Sequence, residues 1–321
     1  MALTDINSIL IIGMAGGLAK ITAGLLLKEY PNATITGVDS RETDQFLKDS
    51  RIKYQRMKYT RSNYEKLFRN NRFDAVLHLG RMSHSGSNPR AHLAERLDLN
   101  VMGTNRVLEL SLHFEVKKVI IMSTYHVYGA FSDNSTFIKE DALLRASLHY
   151  PDLRDVVEMD QLASNWMWKY QHQIETLVLR PCSVIGPQIR NTMTQYLTAP
   201  YMPVPMDFNP MVQFIHEFDM ASVIVHSLKY VPTGIYNVAT DQCMSIGEAK
   251  RTIGVASIPI PVFLLEQAAK LINRTFWSVP EYLIDYLKYP CIISNEELKK
   301  HLPANFFKFS IEEGLALIKQ T

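Results

Sequence analysis

The first forty residues constrain this chain more than any other stretch. Ser8-Ile9-Leu10-Ile11-Ile12 is an apolar, largely β-branched run that feeds a glycine turn, Gly13-Met14-Ala15-Gly16-Gly17. An apolar segment from Leu18 to Glu29 predicts a helix, and Ile35-Thr36-Gly37-Val38-Asp39 predicts a second strand that ends in an acidic residue. Strand, glycine turn, helix and acid-tipped strand is the layout of a βαβ unit that binds a dinucleotide. Gly13 lets the chain turn sharply off the strand. Gly16, with no Cβ, admits a pyrophosphate close to the backbone, and Gly17 belongs to the same turn. Ala19 lets helix and strand pack closely. The uncapped N–H groups and the helix dipole favour the phosphates. Asp39 would accept hydrogen bonds from the ribose hydroxyls. Arg41 lies where a 2′-phosphate would sit, but Asp39 repels such a phosphate, so NAD is favoured over NADP. The plain alternative is a tight strand-to-helix turn that binds nothing.

A chain of 321 residues with 47% hydrophobic content can bury a large core as one large domain or two of ordinary size. A formal net charge of +2 gives no reason to expect nucleic acid as a partner. Cys182, Cys243 and Cys291 form no CxxC pair, which points to reduced thiols and a cytoplasmic setting and away from a zinc site. No apolar run is long enough for a good membrane-spanning helix, and Asp5 stands where a signal peptide would carry basic charge.

Short apolar runs alternate with helical stretches through the first half. Asp74 to Gly80, Lys118 to Thr124 and Glu175 to Arg180 read as strands; Val101 to Phe114 and Asp155 to Tyr170 read as helices. This alternation predicts a doubly wound parallel sheet, with ligands bound beyond the carboxyl ends of its strands. Asp39, Leu79, Gly80, Ser123 and Thr124 all fall at such ends and should converge. After Gly186-Pro187, prolines at 200, 203, 205 and 210 favour irregular, extended backbone. Phe214 to Leu228 reads as a short strand, a loop and a helix, and Gly234 to Val238 as a strand returning to the main sheet. The expectation is an α/β Rossmann-type domain over 1–187, with returning segments near 211–240. A smaller, discontinuous substrate lobe would come from 188–210 and 241–321.

These landmarks in this order resemble the extended short-chain dehydrogenase/reductases, the NAD-dependent nucleotide-sugar epimerase/dehydratase group. The resemblance rests on Gly13-x-x-Gly16-x-x-Ala19, Asn100-Val101-Met102-Gly103-Thr104-Asn105, Ser123-Thr124-Tyr125-His126-Val127-Tyr128-Gly129, Leu179-Arg180-Pro181 through Gly186-Pro187, Phe214-Ile215-His216 through Ala221, and Gly234 to Val238. It covers nearly the whole chain. It implies NAD as cofactor, with Asn100, Ser123 and Pro181 among the contacts besides the glycine turn, and a small-molecule substrate such as a nucleotide sugar. It also implies a homodimer in which the helices near 101–114 and 155–170 pair with their symmetry mates. In such enzymes a tyrosine phenol exchanges a proton with a substrate hydroxyl, a lysine four residues later acidifies the phenol, and a serine or threonine steadies the reacting oxygen. Thr124 matches that hydroxyl, with Ser123 as the alternative.

The tyrosine–lysine pair is where the chain departs from the pattern. In one register Tyr150-Pro151-Asp152-Leu153-Arg154 supplies Tyr-x-x-x-Arg, with Glu158 four residues on. Arginine is a fork-shaped donor and not an equivalent of lysine. In the other register Asp152 and Val156 take the two positions, and neither a phenol nor a cation remains. The second needs less insertion before Arg180 and is preferred; Tyr150 is then a loop residue ahead of a helix start. The alternative to an enzyme is a dinucleotide-binding relative without redox chemistry, acting as a sensor or partner protein. An aspartate that commonly contacts adenine in this group is replaced near Met57-Lys58, and Gly80 stands where alanine is common. His78, His84, His126 and His216 match no metal-ligand spacing and read as packed or surface histidines, so no metal is expected. Trp166 and Trp168 read as helix-packing or dimer-contact residues.

Overall fold

The computed structural model describes residues 6–42, 49–80, 93–265, 267 and 282–318. Its centre is a parallel sheet of seven strands. They are β1 (Ser8–Ile12), β2 (Thr34–Asp39), β3 (Ile52–Arg56), β4 (Ala75–His78), β5 (Lys118–Met122), β6 (Glu175–Pro181) and a late strand, Gly234–Val238. Across the sheet the order is late strand, β6, β5, β4, β1, β2, β3. The order reverses at β1, which pairs with β2 on one side and β4 on the other; Ile9 lies opposite both Ile35 and Ala75. This is the Rossmann-type arrangement, with a crevice at the switch point.

Side-chain alternation along each strand feeds two separate cores. Ile9 and Ile11 join Leu77, Ile120 and Leu179 on one face, where α1 (Gly17–Glu29) packs against the helix Glu217–Tyr230. Leu10 and Ile12 join Val76, Val119 and Val178 on the other, under α2 (Arg61–Asn70) and the helix Gly103–His113. Each fully buried aliphatic side chain contributes roughly 1.5–3 kcal/mol. The apolar runs are continuous because both faces are covered.

Three elements differ from the sequence expectation. The helix expected over Val101–Phe114 begins earlier. A turn at Leu93–Arg96 widens into a π-helical stretch over Leu97–Met102 and tightens to α-helix only at Gly103–His113. Gly103 is needed there because a Cβ would lie 2.0 Å from the Tyr59 ring. The expected loop inside Phe214–Leu228 is absent. The strand Phe214–His216 pairs in parallel with Ser183–Ile185 and runs straight into the helix Glu217–Tyr230, whose first turn is capped by His216 Nδ1 accepting from Phe218 N at 3.3 Å. The proline-rich stretch is extended but ordered: Met202–Pro205 pairs in parallel with Ser257–Ile260 in a two-stranded ladder, a setting that tolerates prolines. Among the described residues no helix is long and apolar enough to cross a membrane.

Candidate active site

The glycine turn is tied to the neighbouring strand. Gly13 adopts φ +87°, and its N–H donates to Val38 O at 2.9 Å, followed by Met14 N at 3.2 Å. A Cβ on Gly13 would lie 2.3 Å from Gly80 Cα, so β1 and β4 converge here backbone to backbone. Gly80, read as a departure from the family, is thus explained by the approach of Gly13. Among the described residues no side chain caps α1, which leaves the N–H groups of Gly17, Leu18 and Ala19 pointing out of its first turn. A Cβ on Gly16 would meet only Gly13 O at 3.3 Å, so the space above it is open. An anion-binding helix start with an open approach over Gly16 fits a pyrophosphate. Ala19 is buried against the sheet. Gly17 serves a different close approach: a Cβ there would lie 2.2 Å from Gln188 O.

Asp39 ends β2 at the rim of a cleft of about 340 Å³ that also takes in Gly13, Met57, Tyr59, Gly80 and Asn100. Its carboxylate accepts from Ala15 N at 3.1 Å and from Arg41 N at 3.0 Å. Arg41 Nε and Nη2 close a fork on both oxygens at 3.1 and 3.0 Å. Burial raises the carboxyl, but the hydrogen bonds from Arg41 and Ala15 outweigh it and hold Asp39 below the usual aspartate range. Met57 and Tyr59 line the end of the cleft where an aspartate is common in the group. Tyr59 Oη lies 2.7 Å from His78 Nε2, and burial lowers the His78 pKa to about 4, so this imidazole is neutral. Asn100 reaches the cleft from the π-helical stretch; its Nδ2 donates to the buried Asp155 at 2.6 Å, and Arg96 stands 3.5 Å from the same carboxylate.

A second cleft, of about 290 Å³, opens beyond the ends of β5 and β6. Leu79, Ser123, Thr124, His126, Val156 and Pro181 lie in its wall. Both clefts take in residues just past β4: Leu79 lines the second and Gly80 the first. Ser123 and Thr124 are adjacent but face different partners. Ser123 Oγ donates to Asp160 at 2.5 Å, and Arg180 grips the same carboxylate through Nε at 2.9 Å and Nη2 at 2.6 Å. Arg180 is in turn held by Tyr128 Oη and by Glu140 O, each at 2.8 Å. Thr124 caps the short 3₁₀ turn Tyr125–Val127, and its Oγ1 lies 2.9 Å from His126 Nδ1.

Tyr150 and Arg154 are not brought together. Tyr150 precedes the 3₁₀ turn Pro151–Leu153, stacks on Phe131 and donates to Asp285 at 2.7 Å. Burial, then the Asp285 contact, pushes its phenol well above the ordinary tyrosine range. Arg154, 58% exposed, pairs instead with Glu158 at 2.6 Å. From this turn and the helix Arg154–Tyr170, the residues that reach the cleft wall are Leu153 and Val156. Val156 lies in the position that the second register gives to lysine; Asp152 is half-buried, and its backbone carbonyl accepts from Arg96. His84 lies outside the described residues.

Several site residues escaped the sequence reading. His126, a packed histidine as its spacing suggests, lies against Tyr125 and Tyr286 and also lines the second cleft, which the sequence does not show. Arg190 follows the Gly186-Pro187 landmark and lines the second cleft. Asp155 and Asp160 sit inside a helix whose periodicity gives no hint that both carboxylates are fully buried.

The fold and the paired clefts define a Rossmann-type dinucleotide-binding protein of the extended short-chain dehydrogenase/reductase class. The sequence profile of the NAD dependent epimerase/dehydratase family matches residues 9–239, and the chain belongs to that family. Among curated relatives, an uncharacterised protein of Mycobacterium tuberculosis is 25% identical over 200 residues, covering 62% of this chain and 52% of its own length. The chain therefore spans about half the length of that relative. A dTDP-D-glucose 4,6-dehydratase of Dictyostelium discoideum is 28% identical over 133 residues, covering 39% of this chain and 30% of that protein. Among solved structures, a UDP-glucose 4-epimerase of Thermus thermophilus in complex with NAD superposes with a TM-score of 0.71 at 17% identity, covering 98% of each chain. Pal from Bacillus thuringiensis gives 0.75 at 20% identity, also over 98% of each chain.

Proposed function

We propose that this chain is an NAD-dependent oxidoreductase of the epimerase/dehydratase type that acts on a hydroxyl of a nucleotide sugar or a related compound. The observation that carries this reading is the placement of two clefts at successive residues, Gly80 in the one that takes in Gly13 and Asp39 and Leu79 in the one that takes in Thr124. The start of α1 and Gly16 would hold the pyrophosphate, Asp39 the adenosine ribose, and Leu79 and Pro181 would flank the nicotinamide end. Bound NAD supplies the hydride acceptor. Thr124 Oγ1 would receive and orient the reacting oxygen, and Ser123, engaged by Asp160, would fix the strand end from behind. Asp39 favours NAD over NADP because a 2′-phosphate would meet its carboxylate. The segments 188–210 and 241–321 would form the substrate lobe, which fits a substrate such as the UDP-glucose or dTDP-glucose named for proteins of similar fold or sequence. The three free thiols suit the cytoplasm. Trp168, 58% exposed on the helix Arg154–Tyr170, would lie at a homodimer interface.

A second reading has its own observation. Leu153 and Val156 present apolar surface to the second cleft, and Val156 holds the position that the second register gives to lysine, which favours a dinucleotide-binding protein without turnover. Calorimetric titration with NAD+ followed by a nucleotide-sugar panel separates the two. One NAD+ site per chain, abolished in Gly16→Trp, with NADH formed from at least one sugar, supports the enzyme. Tight NAD+ binding with no turnover supports the second reading. Normal NAD+ binding by Gly16→Trp overturns the cofactor assignment itself.

A further inference from the structure

The side chain that Thr124 touches in the cleft is an imidazole. Its Oγ1 accepts from His126 N at 3.4 Å and lies 2.9 Å from His126 Nδ1. A hydroxyl has one proton and two lone pairs. In the tautomer whose Nδ1 carries no proton, one lone pair takes the backbone N–H, the hydroxyl proton is aimed at Nδ1, and the second lone pair remains for an oxygen arriving in the cleft. Both residues line that cleft, as do Leu153 and Val156, which offer no acceptor. His126 is held by its surroundings: its ring lies 4.3 Å from the Tyr125 ring and 4.9 Å from the Tyr286 ring, and Tyr286 Oη donates to its carbonyl at 3.3 Å.

We propose that Thr124 and His126 form a proton relay that takes the place of the missing tyrosine–lysine pair. The proposal rests on the oxidoreductase reading above. In the oxidation direction bound NAD+ would supply the acceptor for the electron pair of the substrate C–H bond, taken as hydride. The O–H electron pair becomes the second C–O bond. The O–H proton passes to Thr124 Oγ1 as the threonine proton passes to His126 Nδ1, leaving a carbonyl and an imidazolium. Reduction reverses each transfer. His126 thus acts through Thr124 and positions the proton.

The phenols and the thiol packed around the imidazole are neutral. Burial pushes the Tyr125 and Tyr286 phenols far above the ordinary tyrosine range and the nearby Cys291 thiol up to about 12, so all three stay neutral. Tyr282 lies 5.8 Å away, ring to ring, and Asp285 on the same helix is engaged by Tyr150. Among the described residues, Arg190 is the arginine or lysine in the same cleft wall.

Nitrogen-15 NMR of histidine-labelled protein without nucleotide tests the relay, with His126 assigned from the spectrum of His126→Gln. The expected result at pH 8 is an unprotonated Nδ1 whose shift moves in Thr124→Val. A proton on Nδ1, or a shift indifferent to Thr124→Val, overturns the relay. The tautomer is read without substrate, so it decides the matter even where no sugar reduces NAD+. With UDP-glucose or dTDP-glucose and NAD+ in single turnover, His126→Gln should slow NADH formation about a hundred- to ten-thousand-fold and abolish the acidic limb of the pH profile. Its NAD+ affinity should stay within threefold of wild type. An unchanged acidic limb in His126→Gln overturns the proposal. Failure of the wild-type protein to bind NAD+ is a separate result, which overturns the oxidoreductase reading.

Discussion

Arg41 folds back on Asp39, so that the carboxylate expected to hold a ribose is gripped by a guanidinium fork at 3.0–3.1 Å. The fork is 64% exposed, whereas the carboxylate is 7% exposed. The arginine is therefore the partner free to swing away into solvent, and the aspartate is fixed by Ala15 N. The guanidinium lies on the solvent side of the pair, and ribose hydroxyls would replace its hydrogen bonds to the carboxylate. Asp39→Ala is expected to weaken NAD+ at least tenfold and to narrow the gap between NAD+ and NADP+. Arg41→Ala should leave NAD+ affinity equal or slightly higher and weaken NADP+. Paired calorimetric titrations check this; unchanged discrimination in Asp39→Ala would sink it.

The approach of Gly13 and Gly80 predicts a graded response to added methyl groups. A Cβ on Gly80 would lie 2.9 Å from Gly13 Cα, and both atoms belong to backbone. Gly80→Ala should lower stability by about 1–3 kcal/mol through overpacking. Gly13→Ala should cost more, because the contact is 2.3 Å and φ is +87°. Chemical denaturation of the two variants measures the order. Equal stabilities would mean that the strands part freely at this point.

Much of this site is local in sequence and so was legible there. Gly13, Gly16 and Asp39 belong to one strand–turn–helix–strand unit whose spacing carries its own meaning, and the parallel sheet follows from runs such as Ala75-Val76-Leu77. What escaped depends on distant partners or unusual local geometry. Gly17 reads as part of the phosphate turn, and its second role, leaving room for Gln188, depends on a distant partner. Arg180 reads as a landmark residue, but its fork on Asp160 and the hydroxyl of Ser123 require the helix and two strand ends to meet. The π-helical stretch before Gly103 defeats a reading built on 3.6-residue periodicity. His216 as a helix cap hid the direct strand-to-helix join. The separation of Tyr150 from Arg154 turns on contacts to Asp285 and Glu158, of which only the second is visible as spacing.

Lys250 predicts a pH dependence of stability. It is 2% exposed, and its Nζ donates to Tyr196 O at 3.1 Å. Burial lowers its pKa from 10.5 to about 8. Below pH 8 both folded and unfolded chains carry the proton, and the folded state bears the full penalty of burying it. Between pH 8 and the unfolded value the unfolded chain binds more protons, so stability rises with pH. The relief approaches about 3 kcal/mol for a group shifted this far. Wild type should therefore gain stability relative to Lys250→Met as pH goes from about 8 to 10.5. Urea titrations of both proteins across that range provide the difference, and a flat difference would contradict a depressed lysine.

Adjacent hydroxyls at the end of β5 should respond differently to removal. Ser123 spends its proton on Asp160, a carboxylate that is fully buried and also holds Arg180 and Ser164. Ser123→Ala deletes one donor to a buried charge and should cost about 1–3 kcal/mol of stability. Asp160→Asn should cost more, about 3–5 kcal/mol, because it leaves the Arg180 guanidinium buried without its counter-charge. Thr124 instead faces the cleft, and its hydroxyl contacts only a neighbouring turn. Thr124→Val keeps the shape and should cost only the cap of the short turn, about 0.5–2 kcal/mol, while the rate of NADH formation from a nucleotide sugar falls by a hundredfold or more. Denaturation and single-turnover kinetics on the same three variants separate a structural hydroxyl from a reactive one. If Thr124→Val turned over as fast as wild type while Ser123→Ala lost the reaction without losing stability, the roles of the two residues would have to be exchanged.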